Sequence, residues 1–113
     1  MMQIRKTYFE VNPELLYAEI RDFTLKQGVS LGETKLETYT LPDQSATFIS
    51  RGTLTFKVES NKANKECLRV HVVGSARGET KLMLDVDEEL FPQEKVSALL
   101  DDLGFIFGSY EAG

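Results

Sequence analysis

The sequence is poor in cysteine and histidine, with one of each. A single cysteine, Cys67, leaves no intrachain disulfide, so nothing in the chain calls for an oxidising compartment. Long apolar runs are missing too. None approaches the ~20 residues that cross a bilayer, and the opening "MMQIRKTYFEV" has no apolar signal core. A cytoplasmic location without membrane insertion is the expectation. Basic residues are short: thirteen Lys and Arg face eighteen Asp and Glu, for a net charge of −5, and they form no cluster along the sequence. That shortage argues against nucleic acid as a partner, because phosphate neutralisation supplies most of the affinity there. It argues equally against a polybasic membrane anchor. No Pro/Gly/Ser-rich linker, internal repeat or low-complexity stretch divides the chain, so residues 1–113 are read as a single domain.

What is present is patterned hydrophobicity. "MQIRKTYFEV" is rich in β-branched and aromatic residues and reads as a strand over Gln3–Val11. In "NPELLYAEIRDFTLKQG", Asn12 is placed to cap a helix, Pro13 suits its first position, and Glu14 complements the positive end of its dipole. Leu16, Ile20 and Phe23 share one face, and Gly28 fits the left-handed position beyond the last turn. A strand follows over Val29–Leu41, then turn chemistry in "PDQS". "SATFISRGTLTFKVES" alternates strictly: Ala46, Phe48, Ser50, Gly52, Leu54, Phe56 and Val58 on one side, Thr, Arg, Lys and Glu mostly on the other. That period of two predicts a long strand covered on one face. "NKANK" reads as a polar loop. "ECLRVHVVG" and "TKLMLDVDEEL", joined by "SARGE", read as an antiparallel hairpin. Pro92 then opens a closing helix in which Val96, Leu99, Leu100, Leu103, Phe107 and Tyr110 recur at helical spacing.

The order is therefore strand, helix, four strands, long C-terminal helix. Consecutive strands on short turns are antiparallel, and a sheet with one polar face needs its other face covered. The predicted fold is α+β, a curved antiparallel sheet with helices packed on one face.

Two stretches carry a likeness beyond composition. "TYFEVNPELLYAEIRD", a strand running into a Pro-started helix, and "GETKLMLDVDEELFPQEKVSALLDDLGFIFGSYE", a last strand running into a long helix, resemble the helix-grip (SRPBCC) superfamily. Its members include START lipid-transfer domains, polyketide cyclases and major pollen allergens. The likeness is one of pattern over nearly the whole chain. This chain is shorter than typical members: one helix and four strands stand where they carry two short helices and six strands. The resemblance implies a hydrophobic ligand held between the sheet and the C-terminal helix. It implies no catalysis, since activity varies among members and fold does not fix function.

Residue chemistry is consistent with a non-enzymatic protein. Alternation puts His71 on the polar face of its strand with Cys67 and Arg69, and Cys67, four residues back, is ~13 Å away at ~3.3 Å per residue, too far for a Cys–His pair. Asp85, Asp87, Glu88 and Glu89 in "DVDEEL" match no calcium loop and read as a solvated acidic corner before a helix. No metal, cofactor or catalytic residue is expected. Arg51 and Arg69, with Lys57 and Lys81, sit on the polar sheet face, where pairing with Glu59, Asp85 or Asp87 is the expected use. Gly104 and Gly108 cost helix stability, so each marks either a close approach or a frayed end. Phe105 and Ile106 lie off the main apolar face and form a patch suited to an interface.

Two functions follow. One is a small-hydrophobic-ligand binding module, with Phe48, Ser50, Gly52, Leu54 and Phe56 of the long strand facing Leu99, Leu100, Leu103 and Phe107 of the closing helix. Small residues at 50 and 52 leave room above the sheet. The other is a protein-interaction or structural module with a filled core, a homodimer through the closing helix or a strand edge. An enzyme of cyclase or hydrolase type would need inward polar groups, and Tyr8, Tyr39 and Ser50 are the only ones the pattern offers.

Overall fold

The computed structural model describes residues 1–41, 44–60, 63–75 and 77–112. The elements are β1 (Met2–Phe9), α1 (Pro13–Leu25), β2 (Ser30–Leu41), β3 (Gln44–Ser60), β4 (Ala63–Gly74), β5 (Glu79–Val86) and α2 (Gln93–Phe107), followed by a 3₁₀ turn at Gly108–Tyr110. The expected turn residues Pro42 and Asp43 lie outside the described residues, as do Asn61 and Lys62 of the expected "NKANK" loop. The rest of that stretch is not loop: Ala63, Asn64 and Lys65 pair with Ser60, Glu59 and Val58 and lengthen the β3–β4 hairpin.

The five strands form one sheet in the order β1-β5-β4-β3-β2, and every pairing is antiparallel. The register lines up rows of side chains across it. Ile4, Leu84, Val70 and Leu54 form one row, and Met2, Val86, Leu68 and Phe56 the next. These rows pack with Leu16, Ile20, Val96, Leu99 and Leu103 into a single buried cluster. The alternate rows hold Arg5, Met83, His71 and Thr53, then Thr7, Lys81, Val73 and Arg51, and face away from the helices. Each fully buried Leu, Ile or Phe contributes ~1.5–3 kcal/mol through area removed from water, so the apolar rows are what hold the layers together.

Helix α1 starts where its sequence says it should. The Glu14 amide donates to Asn12 Oδ1 at 2.8 Å, and Pro13 takes the first helical position. Gly28 turns the chain out of the helix at φ 85°, a conformation that glycine reaches without steric cost. Because β1 and β2 are opposite edges of the sheet, the chain between them must cross it. Helix α1 is that crossing and lies against β2, β3 and β4. Helix α2 follows β5, the neighbour of β1. The Phe107 ring near its end meets Tyr8 of β1 edge-on, with centroids 6.1 Å apart. The helices also touch each other. No helix among the described residues is long and apolar enough to cross a membrane.

The sheet is staggered. Strand β3 leaves its partner β4 at Ser50↔Gly74 and continues paired only with β2, so a two-stranded ribbon projects from the body, which measures 50 × 27 × 22 Å.

Candidate functional site

The residues proposed from sequence to line a site between β3 and the closing helix divide into two groups. Leu54, Phe56, Leu99, Leu103 and Phe107 belong to the buried core, and Leu100 packs on it half-buried. The others lie toward the projecting end of β3: Phe48 is beyond β4, Ser50 is at the last pair with β4, and Gly52 is still paired with Val72, near a different helix. Gly52 sits under Tyr17 of α1: a Cβ there would fall 2.5 Å from Tyr17 Cδ2 and 2.9 Å from Cε2. The space above Ser50 and Gly52 is therefore taken at Gly52 by an aromatic ring of α1. The spacing of Tyr17, one residue after Leu16 on the buried face, carries the signal for this. The strand order, which assigns α1 to the β3 side, does not appear in the sequence.

Ser50 is buried, at 5% exposure, and its hydroxyl shares a 2.9 Å hydrogen bond with Thr38 Oγ1 across the β2–β3 pair. Thr38 in turn donates to Glu14 Oε1 at 3.3 Å, tying the first turn of α1 to the ribbon. The Tyr17 ring lies over the neighbouring Gly52, and burial pushes its hydroxyl above the usual tyrosine range, with the Lys35 backbone and Arg21 opposing. Next along the same face stand Phe48, 59% exposed, and Leu36, 41% exposed. The result is an apolar shelf, Phe48 on the ribbon and Leu36 at its base, on either side of a small polar centre.

The remaining sequence candidates fall as follows. Cys67 is not on the polar face: a register shift between Phe56 and Lys57 makes it the extra residue of a β-bulge, so that Cys67 and Leu68 are both buried. Burial is the chief reason its thiol is pushed up to about 11, well away from a reactive thiolate. His71 stands between Thr53 and Met83 on the helix-free face. Arg69 pairs with Glu66 through two hydrogen bonds of 2.9 and 3.1 Å, rather than with Asp85, which takes a bond from Gln3. Tyr8 is buried beside Phe107, and burial together with the Glu111 charge pushes its hydroxyl up to about 12. Tyr39 is 42% exposed and pairs with Ile49, on the face opposite Ser50. A Cβ on Gly104 or Gly108 would meet nothing within 4 Å, so no neighbour in this chain demands either glycine. Phe105 and Ile106 are exposed, at 91% and 40%.

Sequence reasoning missed two features. An open depression of about 450 Å³ lies on the helix-free face, lined by Arg5, Lys6, Thr7, His71, Val73, Lys81, Leu82 and Met83. Of its cations, Arg5 belongs to β1 and Lys81 to β5, while Lys6 beside Arg5 pairs with Glu111, so no run of charge announces the site. The second is a carboxyl pair between the helices, Glu19 of α1 and Asp102 of α2. A hydrogen bond to Asp102 is the main cause, ahead of burial, that pushes Glu19 up to about 6. Among the described residues no cluster of three His, Cys, Asp or Glu side chains is arranged to hold a metal ion. The chain matches no model of a known protein family and no curated protein.

Proposed function

We propose that the protein is a non-enzymatic binding module of helix-grip type that takes a small hydrophobic ligand on the helix-bearing face of its sheet. The adjacency of the first and last strands and the long helix after the last strand support the helix-grip reading. The observation that carries the ligand is the shelf on the ribbon. Phe48 presents an aromatic surface to solvent on the same face that elsewhere is core, beside the hydroxyls of Ser50 and Thr38. A mostly apolar surface with a few fixed polar groups is the usual make-up of a small-molecule site. The ligand would cover Phe48 and Leu36 and meet the hydroxyl pair, with Tyr17 as the inner wall.

Native mass spectrometry of gently purified protein tests this. An added mass that disappears on denaturation, and that is lost in Phe48→Glu, supports the site. A bare mass from the native source, together with no uptake of a solvatochromic apolar dye, removes the ligand reading.

A second reading is an interaction module that self-associates. The exposed Phe105 and the outer edge of β2, without a neighbouring strand among the described residues, favour it.

A further inference from the structure

The two edges of the sheet are not equivalent. The β1 edge is partly covered by the chain's own C-terminal segment, where the Ala112 amide donates to the Thr7 carbonyl at 2.8 Å and Glu111 bridges Tyr8. Among the described residues the outer edge of β2 has no strand beside it, and β2 is twelve residues long. A long open edge offers a row of unpaired backbone groups to another strand, which most proteins blunt with charge. Charge is present on β2, but in an order that a second copy of the same strand can match.

Around Leu36 the strand reads Glu33-Thr34-Lys35-Leu36-Glu37-Thr38-Tyr39. Laid antiparallel against a second copy with Leu36 opposite Leu36, it places Lys35 opposite Glu37 and Glu37 opposite Lys35. Thr34 and Thr38 then face each other twice. Opposite charges and Thr–Thr pairs are among the favourable cross-strand neighbours. The register centred one residue earlier, on Lys35, sets Lys35 against Lys35 and Glu33 against Glu37, so like charges oppose along its length. The register centred on Glu37 sets Glu37 against itself and Lys35 against Tyr39. Moving the centre by one residue leaves Leu36 on its own face and sets it against Thr34 or Thr38 instead of against its symmetry mate. Only the Leu36-centred arrangement among these three has its charges matched.

We propose that the protein forms a symmetric dimer by antiparallel pairing of β2 with β2 of a second copy about Leu36, making a continuous ten-stranded sheet. This locates the self-association of the second reading above and rests on it. Leu36, 41% exposed in the single chain, meets its own symmetry mate on the helix-bearing face. Lys35 and Glu37, now paired within the strand at 3.1 Å and both more than half exposed, exchange that solvated pair for two pairs across the dyad. A strand-edge contact is small beside obligate interfaces, so the dimer is concentration-dependent.

Sedimentation equilibrium on the intact protein and its variants tests the assignment. Lys35→Glu alone sets Glu against Glu at both symmetric positions, and Glu37→Lys alone sets Lys against Lys. Each variant is expected to dimerise more weakly by roughly tenfold, and an equimolar mixture of the two is expected to recover the parent affinity as a heterodimer. Leu36→Cys places two thiols at the dyad, at the ~4.5–5.5 Å Cα spacing of facing antiparallel residues, within disulfide range. It should crosslink in mild oxidant, whereas Thr34→Cys alone should not and Thr34→Cys/Thr38→Cys should. A parent protein that is monomeric at all concentrations overturns both the self-association reading and this register. A dimer that survives both charge reversals but dissociates in Phe105→Ser overturns the β2 assignment alone and moves the interface to α2.

Discussion

Gly52 and Tyr17 are the pair on which the ribbon meets the body. The ring lies where a Cβ at position 52 would be, at 2.5 Å from Cδ2, so even a methyl group has to displace it. Gly52→Ala should therefore cost ~1–3 kcal/mol through overpacking. In a Tyr17→Ala background the same change should cost nothing or stabilise slightly, since alanine suits a strand better than glycine once the space is open. Urea denaturation of the four proteins of this cycle measures the coupling directly. An equal cost in both backgrounds would show that the strain lies in the backbone and not against Tyr17. The small residue was legible in the alternating pattern of β3, and so was its meaning as room for something above the strand. What fills the room was not, because Tyr17 is distant in sequence and reaches Gly52 only through the strand order. Cys67 shows the same limit: strict alternation puts it on the polar face, and one inserted residue at a bulge turns it into the core.

At the scale of elements, the ends of α1 were readable because its capping is local: Asn12, Pro13 and Gly28 each act on backbone within a turn. The long β3 was readable for a similar reason, since its period needs no partner. The start of β4 was hidden, since Ala63, Asn64 and Lys65 form strand only through pairing with β3. The seating of the helices was also hidden, and with it the contact between Glu19 and Asp102. Oδ2 of Asp102 is buried and has no hydrogen-bond donor beside it among the described residues. A proton on Glu19 supplies the missing donor, and burial and the charges of Asp102 and Asp22 add to the rise, against Lys26. Glu19 thus titrates near 6 in the folded chain against an ordinary 4.5. The folded state holds the proton more tightly, so its contribution is fully present below 4.5 and is lost as pH climbs through 6. The α1–α2 contact should be firmer at pH 5 than at pH 7. Glu19→Gln keeps a donor opposite Asp102 at every pH, so it should raise the melting temperature at pH 7 and flatten the difference between pH 5 and pH 7. The same pH difference in parent and variant would show that this pair does not govern the contact.

The whole molecule is closed by its two ends. Strand β1 carries Lys6 on the helix-bearing side, at a position where the neighbouring row is apolar, and the side chain reaches Glu111 at 2.9 Å. Ala112 completes a hydrogen bond to Thr7, and Tyr8 is sealed under Phe107. These contacts join residues about a hundred positions apart and hold the C-terminal segment against the first strand. They also shield the edge that would otherwise match the open edge of β2. Two changes separate the ion pair from the coverage. Lys6→Ala removes an exposed pair and should cost less than ~1 kcal/mol. Deleting residues 108–112 uncovers Tyr8, only 1% exposed in the intact chain, and strips the Thr7 carbonyl of its donor. The expected loss is ~2–3 kcal/mol, with the freed β1 edge adding association beyond the dimer, visible as growing light scatter with concentration. Denaturation midpoints of the parent and both variants decide between the two roles. A truncated chain as stable and as free of scatter as the parent would mean that the tail rests on the sheet without closing it. A loss confined to the truncation would place the closure in buried aromatic area and backbone pairing, with the surface charge as a minor partner.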